Sequence, residues 1–188
     1  PLLIQVLGPE NQNETGMFTE GYWIAPIAFY VEKYGLDHFD LSIEAIFEIT
    51  KRHTGEFAIR PFLVKYFDQT FNVLKKWSMH ENFHIRRLAT EGIRPRLPWA
   101  KKLDQVIENP EPIFEILTKL MSDSSLFVRK SVANNLSDIL KDNYQKGMEF
   151  LSKYVSNPEK ETKWIIKRAL RNEIKKGNEE ALKIIKNS

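Results

Sequence analysis

Cysteine is absent from the 188 residues, which excludes disulfide frameworks and thiolate-bound metal and is compatible with a cytoplasmic protein. Long apolar runs are missing too. The longest, 22–31, contains Pro26 and falls well short of the roughly 18 residues that suggest a membrane span, so no membrane partner is expected. Neither a Gly-rich phosphate loop nor a dinucleotide fingerprint occurs, and no G-x-S-x-G nucleophile elbow is found. Histidine is scarce: His38, His53, His80 and His84. His80 and His84 have the i, i+4 spacing of a helical metal pair, but Glu81-Asn82 between them reads as a loop. Neither a metal nor a cofactor is expected. No secretory signal is visible. The start at Pro1 is read as a chain lacking its natural N-terminus.

What is present is ordinary in amount and uneven in place. At 42% hydrophobic and 28% charged residues, the composition is globular, and the length suits a single domain over 1–188 with a sizeable core. The net charge of +3 conceals an asymmetry. Residues 1–79 hold seven Lys/Arg against ten Asp/Glu; residues 80–188 hold twenty-one against fifteen, a balance of +6. A basic second half suits an anionic partner.

No alternating pattern of β-strands is found. Residues 1–21 read mostly as loop. Apolar residues then recur with a helical period. Pro26 stands near the start of the first such stretch and Gly35 at its end. Asp40 reads as the N-cap of the next helix. The stretch 56–77 is helical, with Pro61 marking a kink or its true start. Further helices are predicted over 83–92, 99–108, 112–121, 126–141, 144–154, 159–176 and 179–186.

Some of these helices are related. His84-Ile85-Arg86-Arg87-Leu88-Ala89 aligns with Phe127-Val128-Arg129-Lys130-Ser131-Val132 and with Ile165-Ile166-Lys167-Arg168-Ala169-Leu170. The basic pairs are 43 and 38 residues apart, near the spacing of roughly 40–47 in HEAT-type helical repeats. Ile59-Arg60 is a degenerate earlier candidate. The predicted fold is therefore all-α: a HEAT-like solenoid, curved, with a concave face. A basic pair opening each second helix would form a ladder suited to a polyphosphate. The same charges could equally solvate helix surfaces and pair with nearby carboxylates.

Three carboxylates stand in unusual settings, and each has two readings. Glu56 lies in an otherwise apolar run and could simply favour a helix N-terminus. Glu91 is four residues from Arg87 and could form an intrahelical ion pair. Asp138 could pair with Lys141.

The segment Arg86-Arg87-Leu88-Ala89-Thr90-Glu91-Gly92-Ile93-Arg94-Pro95-Arg96-Leu97-Pro98-Trp99-Ala100 resembles the signature stretch of AlkC-type DNA alkylation repair proteins. Glu56-Phe57-Ala58-Ile59-Arg60-Pro61-Phe62 resembles their upstream motif, and Val128-Arg129-Lys130-Ser131-Val132-Ala133-Asn134-Asn135-Leu136-Ser137-Asp138 their downstream repeat. Trp164-Ile165-Ile166-Lys167-Arg168-Ala169-Leu170-Arg171 is a looser fourth match. The resemblance implies a HEAT-like glycosylase that holds duplex DNA in its concave face and hydrolyses the N-glycosidic bond of alkylated bases, chiefly of the 3-methyladenine type. It implies that the lesion is met in bent DNA without a snug base pocket.

By motif, the family's acidic residues fall on Glu56, Glu91 and Asp138. Asp138 is expected to handle the water while Glu56 and Glu91 stabilise the cation. The expected DNA contacts are Arg60, Arg86, Arg87, Arg94, Arg96, Trp99, Arg129, Lys130, Lys167 and Arg168. Trp99 has a second reading as a buried anchor after Pro98. The expected partner is double-stranded DNA with alkylated bases, bound by a monomer in the bacterial cytoplasm at the nucleoid. Some relatives add a C-terminal immunoglobulin-like domain, which is not expected within these 188 residues. A non-catalytic binder of branched or bent DNA is the alternative function.

Overall fold

The computed structural model describes residues 2–16, 19 and 21–187. Among the described residues the only regular structure is helical, as the periodicity predicts. The chain divides into two compact units, residues 1–92 and 93–188.

In the first unit, α1 (Leu2–Leu7) precedes a non-helical stretch from Gly8. The expected loop thus begins after a short helix, and Pro1, Met17, Phe18 and Glu20 lie outside the described residues. A 3₁₀ turn (Tyr22–Ile24) leads into α2 (Ala25–Tyr34), with Pro26 in its first turn and Gly35 as its C-cap. Then follow α3 (Phe39–Thr50), α4 (Arg60–Lys65), α5 (Phe67–Trp77) and α6 (Phe83–Glu91). His38, not Asp40, is the N-cap of α3; Asp40 sits in the first turn, where its charge suits the helix dipole. The stretch 56–77 starts as a helix only at Arg60 and breaks at Tyr66, whose φ of −132° and ψ of 53° are not helical. Helix α3 packs on α2 and α6, and α5 packs on α4 and α6. Ile46, Ile49, Ile59, Phe62, Leu74 and Ile85 are fully buried in this unit.

The second unit holds α7 (Asp104–Glu108), α8 (Glu111–Leu120), α9 (Leu126–Asp142), α10 (Tyr144–Ser152), α11 (Lys160–Ala169), α12 (Arg171–Lys175) and α13 (Glu179–Asn187). The long α9 is its centre, packed on α8, α10 and α11. Residues 99–103, expected to be helical, are not. Trp99 has φ 63°, which a right-handed helix cannot contain, and Pro95 and Pro98 disfavour helical backbone before them. Buried Leu97 and Leu103 anchor this turn. The predicted helix 159–176 is divided at Leu170 into α11 and α12.

The repeat relation holds for two of the three aligned segments. In α6 the N-cap Asn82 accepts from His84 N at 2.9 Å; in α9 the N-cap Ser125 accepts from Val128 N at 3.3 Å. Four residues past each cap an arginine reaches back to the preceding loop. Arg86 Nη1 donates to His80 O and Glu81 O at 2.9 and 2.7 Å, and Arg129 Nη1 donates to Asp123 O and Ser124 O, both at 2.7 Å. The third copy differs. Helix α11 starts at Lys160, so Lys167-Arg168 falls in its last turn, where cations suit the helix dipole.

Ser125→Ala removes a side-chain acceptor at a buried helix start. It is expected to lower stability by about 1 kcal/mol, read as a lower urea midpoint with unchanged m-value.

Candidate nucleic-acid interface and acidic site

In the first unit, two of the three acids meet on one cation. Residues 51–59 form turns that deliver Glu56 ahead of α4, while α6 carries Arg87 and Glu91 one turn apart. Arg87 grips Glu56 with two nitrogens, Nη1 to Oε2 at 3.2 Å and Nη2 to Oε1 at 3.3 Å. Its Nη2 lies 3.8 Å from Glu91 Oε1, and its Nη1 also donates to Thr54 Oγ1 at 3.3 Å. Burial disfavours the Arg87 charge, but the facing carboxylates of Glu56 and Glu91 outweigh it and push the pKa up. Glu56 and Glu91 are 5% and 6% exposed.

Close packing fixes this geometry. Gly92 ends α6 so near α4 that a Cβ there would come within 2.7 Å of Ile59 Cγ2. Arg60, buried, donates from Nη1 to Gly92 O at 3.0 Å.

In the second unit Asp138, 3% exposed on α9, accepts from Arg94 Nε at 2.9 Å and lies 3.6 Å from Lys141 Nζ. Arg171 lies near the same group: burial lowers its pKa first, then repulsion from Arg168 and Arg94, against the attraction of Asp138. One turn beyond Asp138, Asp142 accepts from Arg96 Nε at 2.6 Å, with a second bond from Nη2 to Oδ1. That bonding holds the Asp142 carboxyl below the usual carboxylate range, more than burial raises it.

The remaining expected contact residues divide by exposure. Arg60, Arg86, Arg87, Arg94, Arg96 and Arg129 all hold backbone carbonyls or carboxylates, as described above. Lys130 and Lys167 are exposed. Arg168 is half-buried with its guanidinium 5.4 Å from the centre of the Trp164 ring, and Arg129 stands 5.8 Å from it. Trp99 is 81% exposed, so the buried-anchor reading fails. Both ion pairs weighed from sequence, Arg87 with Glu91 and Lys141 with Asp138, are formed. Sequence reasoning missed the sharing of Arg87 by Glu56 and the bond from Arg94 to Asp138. Both join residues far apart in the chain, which periodicity does not pair. His84 is buried, and His80 Nδ1 accepts from Asn82 N at 3.0 Å. Among the described residues no helix is long and apolar enough to cross a membrane.

The family described as DNA alkylation repair enzyme matches residues 53–172, the region holding all three acids. The Pseudomonas fluorescens alkylpurine DNA glycosylase AlkC, solved bound to DNA containing an abasic site analog, is 42% identical with a TM-score of 0.85 over 89% of this chain and 46% of that one. The uncharacterised protein YhaZ of Bacillus subtilis is 48% identical over 154 residues, 81% of this chain and 43% of that protein. The chain thus spans less than half the length of either. AlkD2 from Streptococcus mutans is similar in fold, at 24% identity and a TM-score of 0.52 over 80% of this chain and 67% of that one.

Arg87→Met strands two buried carboxylates and is expected to cost about 3–5 kcal/mol. Chemical denaturation at neutral pH should read this as a lower midpoint. Arg96→Gln tests a pH dependence, because Asp142 is held low by Arg96. A depressed carboxylate contributes fully above its unfolded pKa, about 3.9, and loses that contribution as pH falls through the folded value. The stability gap between wild type and Arg96→Gln should be complete at pH 6 and close toward pH 2.

Proposed function

Because this chain belongs to the DNA alkylation repair enzyme family, we propose that it is a DNA glycosylase that hydrolyses the N-glycosidic bond of alkylated bases in duplex DNA, chiefly 3-methyladenine-type lesions. One observation carries the reading. Three acids are almost wholly buried and each contacts an arginine: Glu56 and Glu91 on Arg87, Asp138 on Arg94. A surface built only to grip phosphates gains nothing from such acids, which repel DNA.

An N-alkylated purine is already a cation, so its glycosidic bond is weak before the protein acts. The barrier is the growth of oxocarbenium character on the sugar. Fixed carboxylates in a poorly hydrated setting stabilise that charge without reorganising. Glu56 and Glu91 share one guanidinium, so their group carries a net negative charge. They stabilise the cation, and Asp138 positions the water. As C1′–N breaks, its electron pair leaves with the base and cancels the base's charge. The water oxygen bonds to C1′, and its proton leaves toward solvent past Asp138. Lys130, Lys167 and Arg168 hold phosphates, supplying affinity without reading sequence. Exposed Trp99 touches the lesion or its neighbour. The arginines on carboxylates and carbonyls hold the acids and loops in place, and the enzyme works as a monomer at the nucleoid.

Free base released from methylated duplex is the direct readout. Asp138→Asn and Glu91→Gln should each reduce release by about 100-fold or more, with DNA affinity retained. Release by the wild type no faster than the spontaneous rate, with DNA binding intact, would establish a non-catalytic binder of bent or branched DNA instead. Affinity should fall steeply with salt, and the double variant Lys130→Gln, Lys167→Gln should flatten that slope by about one per lysine.

A further inference from the structure

In the second unit, a cleft of about 310 Å³ lies between the last turns of α9, the end of α11 and helix α12. Its volume is at the low end of ligand sites, roughly 300–1,000 Å³. Leu140 and Ala169 give it an apolar part, and the rest of its lining is polar. Three exposed lysines, Lys141, Lys175 and Lys176, stand around it with one acid, Glu173. The balance of two positive charges favours an anion there.

The three lysines differ in their commitments. Lys176 Nζ is 2.7 Å from Glu173 Oε1 and offsets that acid. Lys141 Nζ lies 3.6 Å from Asp138 Oδ1, a long contact for a side chain that is 54% exposed. Lys175 has no ion pair or side-chain hydrogen bond among the described residues. Beside it, Asn172 Nδ2 donates to Ser137 Oγ at 3.4 Å, and the second N–H of that amide remains for another acceptor.

The cleft also borders the acid assigned to the water. Ser137 precedes Asp138 in the chain, and Lys141 belongs to both places. Asp138 thus faces Lys141 in addition to Arg94, whose Nε is at 2.9 Å. The arginine bond is short and buried, whereas the lysine contact is long and solvated. An anion in the cleft would therefore draw Lys141, on its flexible stem, before it disturbed Arg94.

We propose that the cleft seats one phosphodiester group of the DNA strand beside the lesion, bound by Lys175 and Asn172, and that Lys141 turns from Asp138 to that phosphate when DNA binds. That the anion belongs to DNA rests on the glycosylase reading; that an anion binds rests on the cleft. The phosphate fixes the backbone next to Asp138 without reading sequence. It also removes one of the cations that offset the carboxylate, so the field of Asp138 strengthens only when a substrate strand is in place.

The test uses the whole chain and duplexes with one abasic-site analogue, each with a single phosphate near the analogue replaced by neutral methylphosphonate. At one position the replacement is expected to cost the wild type about tenfold in affinity. The same replacement should cost Lys175→Gln almost nothing, and Lys175→Arg should restore the loss. Lys175→Gln should also flatten the salt dependence by about one and keep the wild-type circular dichroism. The Lys141 side-chain ¹⁵N NMR signal should move when the unmodified duplex binds and stay in place with the methylphosphonate at that position. A methylphosphonate cost that persists in Lys175→Gln, or none at any position, overturns the cleft. A Lys141 signal that responds alike to both duplexes overturns its exchange between Asp138 and phosphate. Base release from methylated DNA is measured separately. Release without the coupling of Lys175 to one phosphate sinks the cleft and leaves the glycosylase standing. Coupling without release keeps the cleft as a backbone site and sinks the glycosylase.

Discussion

A single guanidinium, that of Arg87, organises the first unit's polar interior. Two carboxylates brought close together in a poorly hydrated place cannot both stay charged without a shared cation. Arg87 can serve both because its planar fork presents two nitrogens to Glu56 and keeps one of them near Glu91. A lysine ammonium is a point charge and would satisfy one partner at the expense of the other. The backbone answers to the same requirement. Helix α6 must end where Gly92 can pass close to Ile59, and the turns ahead of α4 must hold Glu56 against it.

The two related helices show how one repeated sequence comes to do different work. The first basic residue of each pair, Arg86 or Arg129, secures the loop that feeds its own helix. This is local structural work, repeated because the cap geometry is repeated. The second residue has diverged. Arg87 is drawn inward by two acids, whereas Lys130, which forms no ion pair among the described residues, is exposed. The likeness between the pairs is therefore a likeness of fold, and their difference follows the acids that surround Arg87.

The helical class and the repeat relation were legible because both are short-range. A period of three to four residues and a cap followed by an arginine can be read along the chain. The site was legible in part, through residues whose setting was odd: Glu56 in an apolar run, and Glu91 and Asp138 beside basic residues. Their long-range partners were hidden. Nothing in the local pattern links Arg94 to Asp138 or Thr54 to Arg87, 44 and 33 residues apart. The errors of boundary have physical causes as well. Trp99 adopts a left-handed conformation directly after Pro98, between buried Leu97 and Leu103, a tertiary demand that overrides its helical neighbourhood. The third basic pair matched in letters, but its helix starts early enough to put the pair at the opposite end.

A surplus of arginine and lysine in the second half suggests a surface made for phosphate, but several of its arginines are committed to partners within the protein. Arg94 and Arg96 hold Asp138 and Asp142, and Arg129 holds loop carbonyls. Fixing a buried carboxylate requires a committed cation, and each such cation is partly withdrawn from the solvent-facing field. Counting charges along the chain therefore overstates the free positive surface and understates the ordered negative one. In the proposed reaction on a cationic lesion the ordered part matters most. Loose surface lysines supply diffuse attraction for a polyanion, while a carboxylate clamped by arginine is a fixed source of field that need not move when positive charge develops nearby. The basic composition and the buried acids are two sides of one design, in which arginines hold charge of the opposite sign in place.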